Sequence, residues 1–393
     1  MTHITTPLVF CLGLSQLVCW GISYYLIGIF GGAMAADLGF SLSVAHGGFT
    51  AALFVMGAVS SQVGRSIDRW GGRPVMVVGS LLLAAGCLGL AAAQGIAGYY
   101  AAWAVLGLAM RMTLYDAAFA ALARLGGPLA RRPISQITLL GGLASTTLWP
   151  VGQALAEGLG WRGALCAYAG FALLTVPLHV AIPPRRYERP ASSGDAPAAA
   201  GEGEGARRGA AAAPVLYALI VAATGVLNSG LSAHMIGILS GLGMGAALAV
   251  WIATLRGIGQ SSARLCEVLF GRRLSATALA VLATGLLLPS FLVGLASGQA
   301  LVAGVLFALL FGAGNGLVTI VRGTLPLALF DPRTYGGTVG RLVTPSFYAA
   351  ALAPLAYAAV IERFGEAAAL HLSFALAAVA FAAAAALHAT TPR

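Results

Sequence analysis

The stretch Gly64-Arg65-Ser66-Ile67-Asp68-Arg69-Trp70-Gly71-Gly72-Arg73-Pro74 sits between two apolar runs, at about 42–63 and 75–94. A basic cluster between runs long enough to cross about 30 Å of hydrocarbon reads as a cytoplasmic loop of a membrane protein. The pattern returns. Arg65-x-x-Asp68-x-x-x-Gly72-Arg73 recurs as Arg264-x-x-Glu267-x-x-x-Gly271-Arg272, 199 residues later and in register at every charge. Leu148-Trp149-Pro150 matches Leu352-Ala353-Pro354 at an offset of 204, and Glu157-x-x-Gly160-x-x-x-Ala164-Leu165 matches Glu362-x-x-Gly365-x-x-x-Ala369-Leu370 at 205. Shared charges, prolines and spacing over such a distance indicate two repeated halves.

Composition agrees. Of 393 residues, 59% are hydrophobic and 9% charged, against about 25% charged in ordinary soluble domains. Soluble enzymes, disordered scaffolds and collagen-like chains are excluded, and long unbroken apolar runs exclude a β-barrel. The expectation is an all-α membrane protein with twelve transmembrane helices in two pseudo-symmetric six-helix halves. Spans 1 to 6 fall at about 8–34, 42–63, 75–94, 98–122, 135–156 and 163–182. Spans 7 to 12 fall at about 214–238, 244–263, 275–296, 299–327, 342–361 and 367–388. Between them, 183–213 has no Val, Ile, Leu, Phe, Met or Trp and reads as a flexible cytoplasmic linker. The domains are therefore 1–182, the linker 183–213, and 214–393.

All 22 basic residues are arginines. In this layout seventeen lie in segments on one side, including the five of the linker, and only Arg162 and Arg363 on the other. The positive-inside rule then puts both termini in the cytoplasm, with the protein in the cell inner membrane. The same distribution argues against nucleic acid as a partner. Five cysteines lie singly and six histidines are scattered, so neither a metal nor a cofactor is expected. Met1–Pro7 carries no Arg or Lys and no small-residue cleavage site follows, so the first apolar run reads as a retained span.

The segment from Gly64 to Arg73 resembles the loop signature Gly-x-x-x-Asp-Arg-x-Gly-x-Arg of the major facilitator superfamily, at the place where that family has it. With twelve spans, a central linker and a second degenerate copy, the resemblance covers essentially the whole chain. It implies a secondary transporter working by alternating access, with spans 1, 4, 7 and 10 lining a substrate cavity. Asp68 could accept hydrogen bonds from a helix N-terminus, and Arg69 and Arg73 could hold carboxylates or lipid phosphates. Gly64, Arg264, Glu267 and Arg272 belong to the same gating set. A purely topological basic cluster is the alternative reading.

Arg111, Arg256 and Arg322 lie inside spans, where a charge costs about 2.5 to 3.5 kcal/mol at a helix centre. Leu255-Arg256-Gly257-Ile258-Gly259 is similar to the stretch around the substrate-binding arginine of the oxalate/formate antiporter and monocarboxylate transporter branch. Trp20-Gly21-Ile22-Ser23-Tyr24-Tyr25 and Asp37-Leu38-Gly39-Phe40-Ser41 also look like that branch. This implies that Arg256 binds a carboxylate, and Arg111 is a second candidate for the same charge; a structural arginine paired to a backbone carbonyl or snorkelling towards the inner surface is the alternative for Arg256. Ile252 stands one turn before Arg256, where proton symporters of the branch have an acidic residue. Asp116 on span 4 and Arg322 on span 10 are opposite charges at nearly equivalent depth, which suggests a gate, a proton carrier at Asp116, or a structural pair. Arg111 and Asp116 sit at about 140° to each other on an unbroken helix. Tyr24, Tyr25, Asn228, Asn315 and Tyr348 are candidates to shape the pocket, with interface anchoring as the alternative for the tyrosines. His46 and His234 read as solvated.

The expected function is transport of a small, carboxylate-like organic anion, coupled to a proton or a counter-anion, by a monomer embedded in the lipid bilayer. The alternative is a proton-coupled efflux pump for amphipathic or toxic compounds. A transport-dead receptor would carry a soluble sensory domain, which the short polar linker does not provide. No constellation of nucleophile, base and metal points to an enzyme.

Overall fold

The computed structural model describes residues 4–188 and 204–391, which are helical with short connections and contain no strand. Residues 189–203, most of the expected linker, lie outside the described residues, as do the side chains of 204–210 and of Arg272. The helix Glu204–Gly241 starts well before the apolar part of span 7. Its first turns are alanine-rich, and alanine is the strongest helix former.

Among the described residues, nine helices are long and apolar enough to cross a membrane. They account for eleven of the twelve expected spans. One of the nine, Ile96–Val180, is 85 residues long; at about 1.5 Å per residue it would measure roughly four hydrocarbon thicknesses, so it folds back and supplies spans 4 to 6. Ala246–Phe270, which carries Arg256, Arg264 and Glu267, is not among the nine; it is span 8.

The chain divides into two compact units. The first comprises Met1–Arg185 with Pro332–Leu352, and the second Arg186–Asp331 with Ala353–Arg393. In the first, span 3 (Gly72–Ala92) packs on Ile96–Thr113 of span 4 and on Ala144–Val180, while span 2 (Leu42–Trp70) also packs on span 4. In the second, span 8 packs on span 10 (Leu301–Leu329), span 9 (Ala276–Gly294) on spans 10 and 12, and span 7 on span 12 (Glu366–Thr390). The 2-on-4 and 3-on-4 pairings of one unit thus return as 8-on-10 and 9-on-10 in the other. Small residues permit these approaches, since helices in lipid gain by close backbone packing instead of by hydrophobic burial. A Cβ on Gly107 would strike the Ala52 backbone, and one on Gly312 would strike the Arg256 backbone.

The repeat also appears in the backbone. Gly160 and Gly365 both turn the chain with positive φ, 71° and 80°, a region closed to most side chains. The basic motifs behave differently from each other. Span 2 stays helical through Arg65, Asp68 and Arg69 to Trp70, so these residues are helical and not in a loop as the sequence suggested. Gly71, with φ 93°, ends it. In the second copy a phenylalanine, Phe270, stands where Gly71 is and has φ −118°. Arg264 and Glu267 likewise lie within a helix, not in a loop. Two spans are interrupted: span 1 by a π-helical turn at Trp20–Tyr24, and span 4 at Leu114, whose ψ of −174° separates Ile96–Thr113 from Tyr115–Gly126. That break places Arg111 and Asp116 on separate helices, so the 140° relation of a continuous helix does not apply.

Candidate functional site

Three of the sequence candidates meet in the second unit. Arg256 is half-buried on span 8; its Nη2 donates to Asn228 Oδ1 at 2.5 Å and its Nη1 to Ser232 Oγ at 2.9 Å. The guanidinium lies 4.8 Å from the centre of the Phe311 ring, a cation–π arrangement. Asn315 Nδ2 donates to the same Asn228 Oδ1 at 3.0 Å. Asn228 and Ser232 are one turn apart on span 7, and Phe311 and Asn315 one turn apart on span 10, so each helix offers its pair on one face. The Gly312 contact with the Arg256 backbone brings span 10 close enough for this. With two donors on Asn228 Oδ1, both of its lone pairs are used and the orientation of the amide is set by the network. Ser232 and Phe311 escaped the sequence reading, although each stands four residues from a selected asparagine.

Arg111 has a different setting. It is 2% exposed; its Nε donates to Ser60 Oγ at 2.8 Å and its Nη2 to the Ser60 carbonyl at 3.2 Å, joining span 4 to span 2. Arg264 is also 2% exposed, with Nε to the Gly316 carbonyl at 3.3 Å and Nη2 to Thr319 Oγ1 at 3.0 Å, joining span 8 to span 10. One buried guanidinium therefore bridges the same pair of helices in each half, supplied by span 4 in one and by span 8 in the other. Counting Arg264 as a loop charge missed this, because burial depends on how far the helix continues past its apolar part.

At the C-terminal end of span 2, Asp68 accepts from the backbone of span 11 (Tyr335–Phe364): Gly336 N to Oδ1 at 2.9 Å and Gly337 N to Oδ2 at 2.7 Å. These are orphan amides of a helix N-terminus, where a carboxylate is favoured. A Cβ on Gly64 would overlap the Gly336 carbonyl, and one on Gly336 would meet Gly64 O, so the glycines allow the backbone contact that places Asp68. Arg124 Nη1 donates to the Asp68 carbonyl at 3.0 Å, Arg65 Nη1 to Ser61 Oγ at 3.2 Å, and Arg69 lies 5.7 Å from the Trp70 ring. Arg73 is exposed and Glu267 half-buried.

Tyr24 and Tyr25 belong to an aromatic cluster at the π-helical turn. Trp20 lies 4.9 Å from Tyr24 and 5.0 Å from Tyr115, Tyr24 is 5.0 Å from Phe49, and Tyr25 is 6.5 Å from Trp149. Tyr348 stacks on Phe54 at 5.4 Å. Asp116 is half-buried in the first turn of Tyr115–Gly126. Arg322 is half-buried on span 10, and its carbonyl accepts from Tyr217 Oη at 2.8 Å. His234 is half-buried, 2.8 Å from the Pro354 carbonyl and stacked on Tyr357, not simply solvated. Among the described residues no three His, Cys, Asp or Glu side chains gather as a metal site.

Comparison with known proteins gives one family. The model described as Major Facilitator Superfamily matches residues 12–354. No curated protein sequence matches the chain. Among solved structures, the human organic anion transporter MFSD10 (TETRAN) is similar with a TM-score of 0.70 and 18% identity, over 97% of this chain and 99% of that one. The proton:xylose symporter XylE has a TM-score of 0.73 and 13% identity over 98% and 95%. The E. coli fucose:proton symporter FucP has 0.68 and 14% over 96% and 97%. At these identities the likeness is one of fold. The family match covers most of the sequence, from the first span to the eleventh, and the chain belongs to the major facilitator superfamily, as a multi-pass secondary transporter of small molecules and not an enzyme.

Proposed function

We propose that this transporter carries a small organic anion of carboxylate type, with Arg256 as the residue that binds its charge. The observation that supports this is the Arg256 site itself: a half-buried guanidinium held by Asn228 and Ser232 and backed by the Phe311 ring. A planar fork oriented in this way matches the two oxygens of a carboxylate. The oxalate/formate and monocarboxylate branch, suggested by the residues around Arg256, fits the same chemistry. Arg111, bound to Ser60, would act by holding span 4 in place. Asp68 would act as a latch on the start of span 11, and Asp116 with Arg322 as a charge-coupled gate, with proton or counter-anion coupling, in a monomeric protein of the inner membrane.

A second reading is supported by a different feature. The cluster Trp20, Tyr24, Tyr25, Phe49, Tyr115 and Trp149 would suit flat apolar compounds, as in an efflux pump for amphipathic substrates. Uptake into liposomes containing the purified protein separates the two. The proposal expects radiolabelled carboxylates to be transported and lipophilic cations to be neither transported nor competitive. Saturable transport of cations with no carboxylate transport would replace it by efflux.

A further inference from the structure

The Arg256 site holds two amide groups whose hydrogen-bonding capacity is only partly used. Asn228 Oδ1 takes Arg256 Nη2 and Asn315 Nδ2, at 2.5 and 3.0 Å, so the capacity left on Asn228 is its Nδ2 donors. Asn315 has spent one N–H, and the capacity left on it includes the Oδ1 acceptor. Neither Asn228 Nδ2 nor Asn315 Oδ1 is among the buried unpaired atoms, and both residues are half-buried, so both groups keep some access from outside the protein. One neighbour thus donates and the other accepts.

A carboxylate only accepts. It satisfies Arg256 and Asn228 Nδ2 but turns an oxygen towards Asn315 Oδ1, and an amide oxygen left facing an acceptor loses its water without replacement. A hydroxyl does both, accepting from Asn228 and donating to Asn315. An ammonium could donate too, but its charge would oppose that of Arg256. We infer that the substrate is a hydroxy-carboxylate, and that Asn315 with Asn228 reads the hydroxyl beside the carboxyl group. This rests on the proposal that Arg256 binds a carboxylate. Sites built to hydrogen-bond a hydroxyl reject the analogue that lacks it.

The test uses the full chain in lipid nanodiscs and calorimetric titration with three matched pairs: lactate and propionate, malate and succinate, mandelate and phenylacetate. In at least one pair the hydroxy acid should bind about tenfold more tightly or better. Asn315→Leu should bring that ratio to within about twofold of unity, and Asn315→Ala provides the same reading if the leucine variant is not monodisperse. Arg256→Gln should weaken both members of the pair. Equal affinities within all three pairs, or a preference unchanged in the Asn315 variants, overturns the hydroxyl reading while leaving the carboxylate site standing. Absence of binding by all six acids overturns both.

Discussion

Asp68 Oδ2 accepts the backbone N–H of Gly337 at 2.7 Å, so a side chain of the second span caps the first turn of the eleventh. With Gly336 on the other carboxylate oxygen, both oxygens are engaged by amides that the helix itself leaves unbonded. The residue between them in function is Gly64, whose lack of a Cβ lets the Gly336 carbonyl lie against span 2.

Asp68→Asn replaces one acceptor by a donor that faces an N–H and removes the negative charge from the helix N-terminus. Loss of a cap costs about 1 to 2 kcal/mol. Transport in liposomes should fall several-fold while the purified protein remains monodisperse. Wild-type rates in this variant would reduce the motif to a topology signal.

Gly64→Ala drives a methyl group into the Gly336 carbonyl, which is backbone and cannot swing aside. Overpacking of this kind costs about 1 to 3 kcal/mol, read as a lowered melting temperature and reduced transport. Gly32→Ala is the comparison: nothing lies within 4 Å of a Cβ there, and it should melt like the wild type.

Arg256→Lys keeps the charge but not the two-pronged geometry held by Asn228 and Ser232. Carboxylate binding should weaken by about 1 to 3 kcal/mol, the scale of a charged hydrogen bond. Arg256→Gln should weaken it further. Amide analogues of the substrate should bind poorly to the wild type and lose little on mutation. Normal transport by Arg256→Gln would remove Arg256 from the binding role.

Asp116 and Arg322 carry opposite charges on spans 4 and 10. If they act as a coupled pair, Asp116→Arg combined with Arg322→Asp should recover more transport than the single changes allow. Strictly additive losses would show that they act independently.

The arginine asymmetry predicts that the linker and both termini lie on the cytoplasmic side. A fluorescent reporter inserted within residues 183–213, or fused at the C-terminus, should fluoresce, and alkaline phosphatase at the same points should be inactive. An active phosphatase at either point would invert the topology.

The fold class was legible because its determinants are local and additive. Apolar length, arginine placement and a repeated pattern are properties of a one-dimensional string, and lipid leaves the backbone few alternatives to helices. The glycines of the repeat were readable for the same reason: Gly160 and Gly365 match in sequence and adopt matching positive φ values of 71° and 80°. Helix ends were less readable. Apolar counting stopped span 2 before its charged residues, whereas the hydrogen-bond ladder continues until Gly71 breaks it.

What the sequence by itself determined is which residues are costly to place in a membrane: Arg111, Arg256 and Arg322 within spans. Their surroundings were decided by tertiary packing. Arg111 meets Ser60, 51 positions away in the chain, while Arg256 meets Asn228 and Ser232 from span 7 and Phe311 from span 10. Arg264, to all appearance a loop charge, is buried against Gly316 and Thr319. The cost of a charge in the membrane is set by its own span and can be read there. Its partner depends on which helix faces it, and that is fixed by small residues such as Gly312, whose fit against another backbone exists only once the helices have packed.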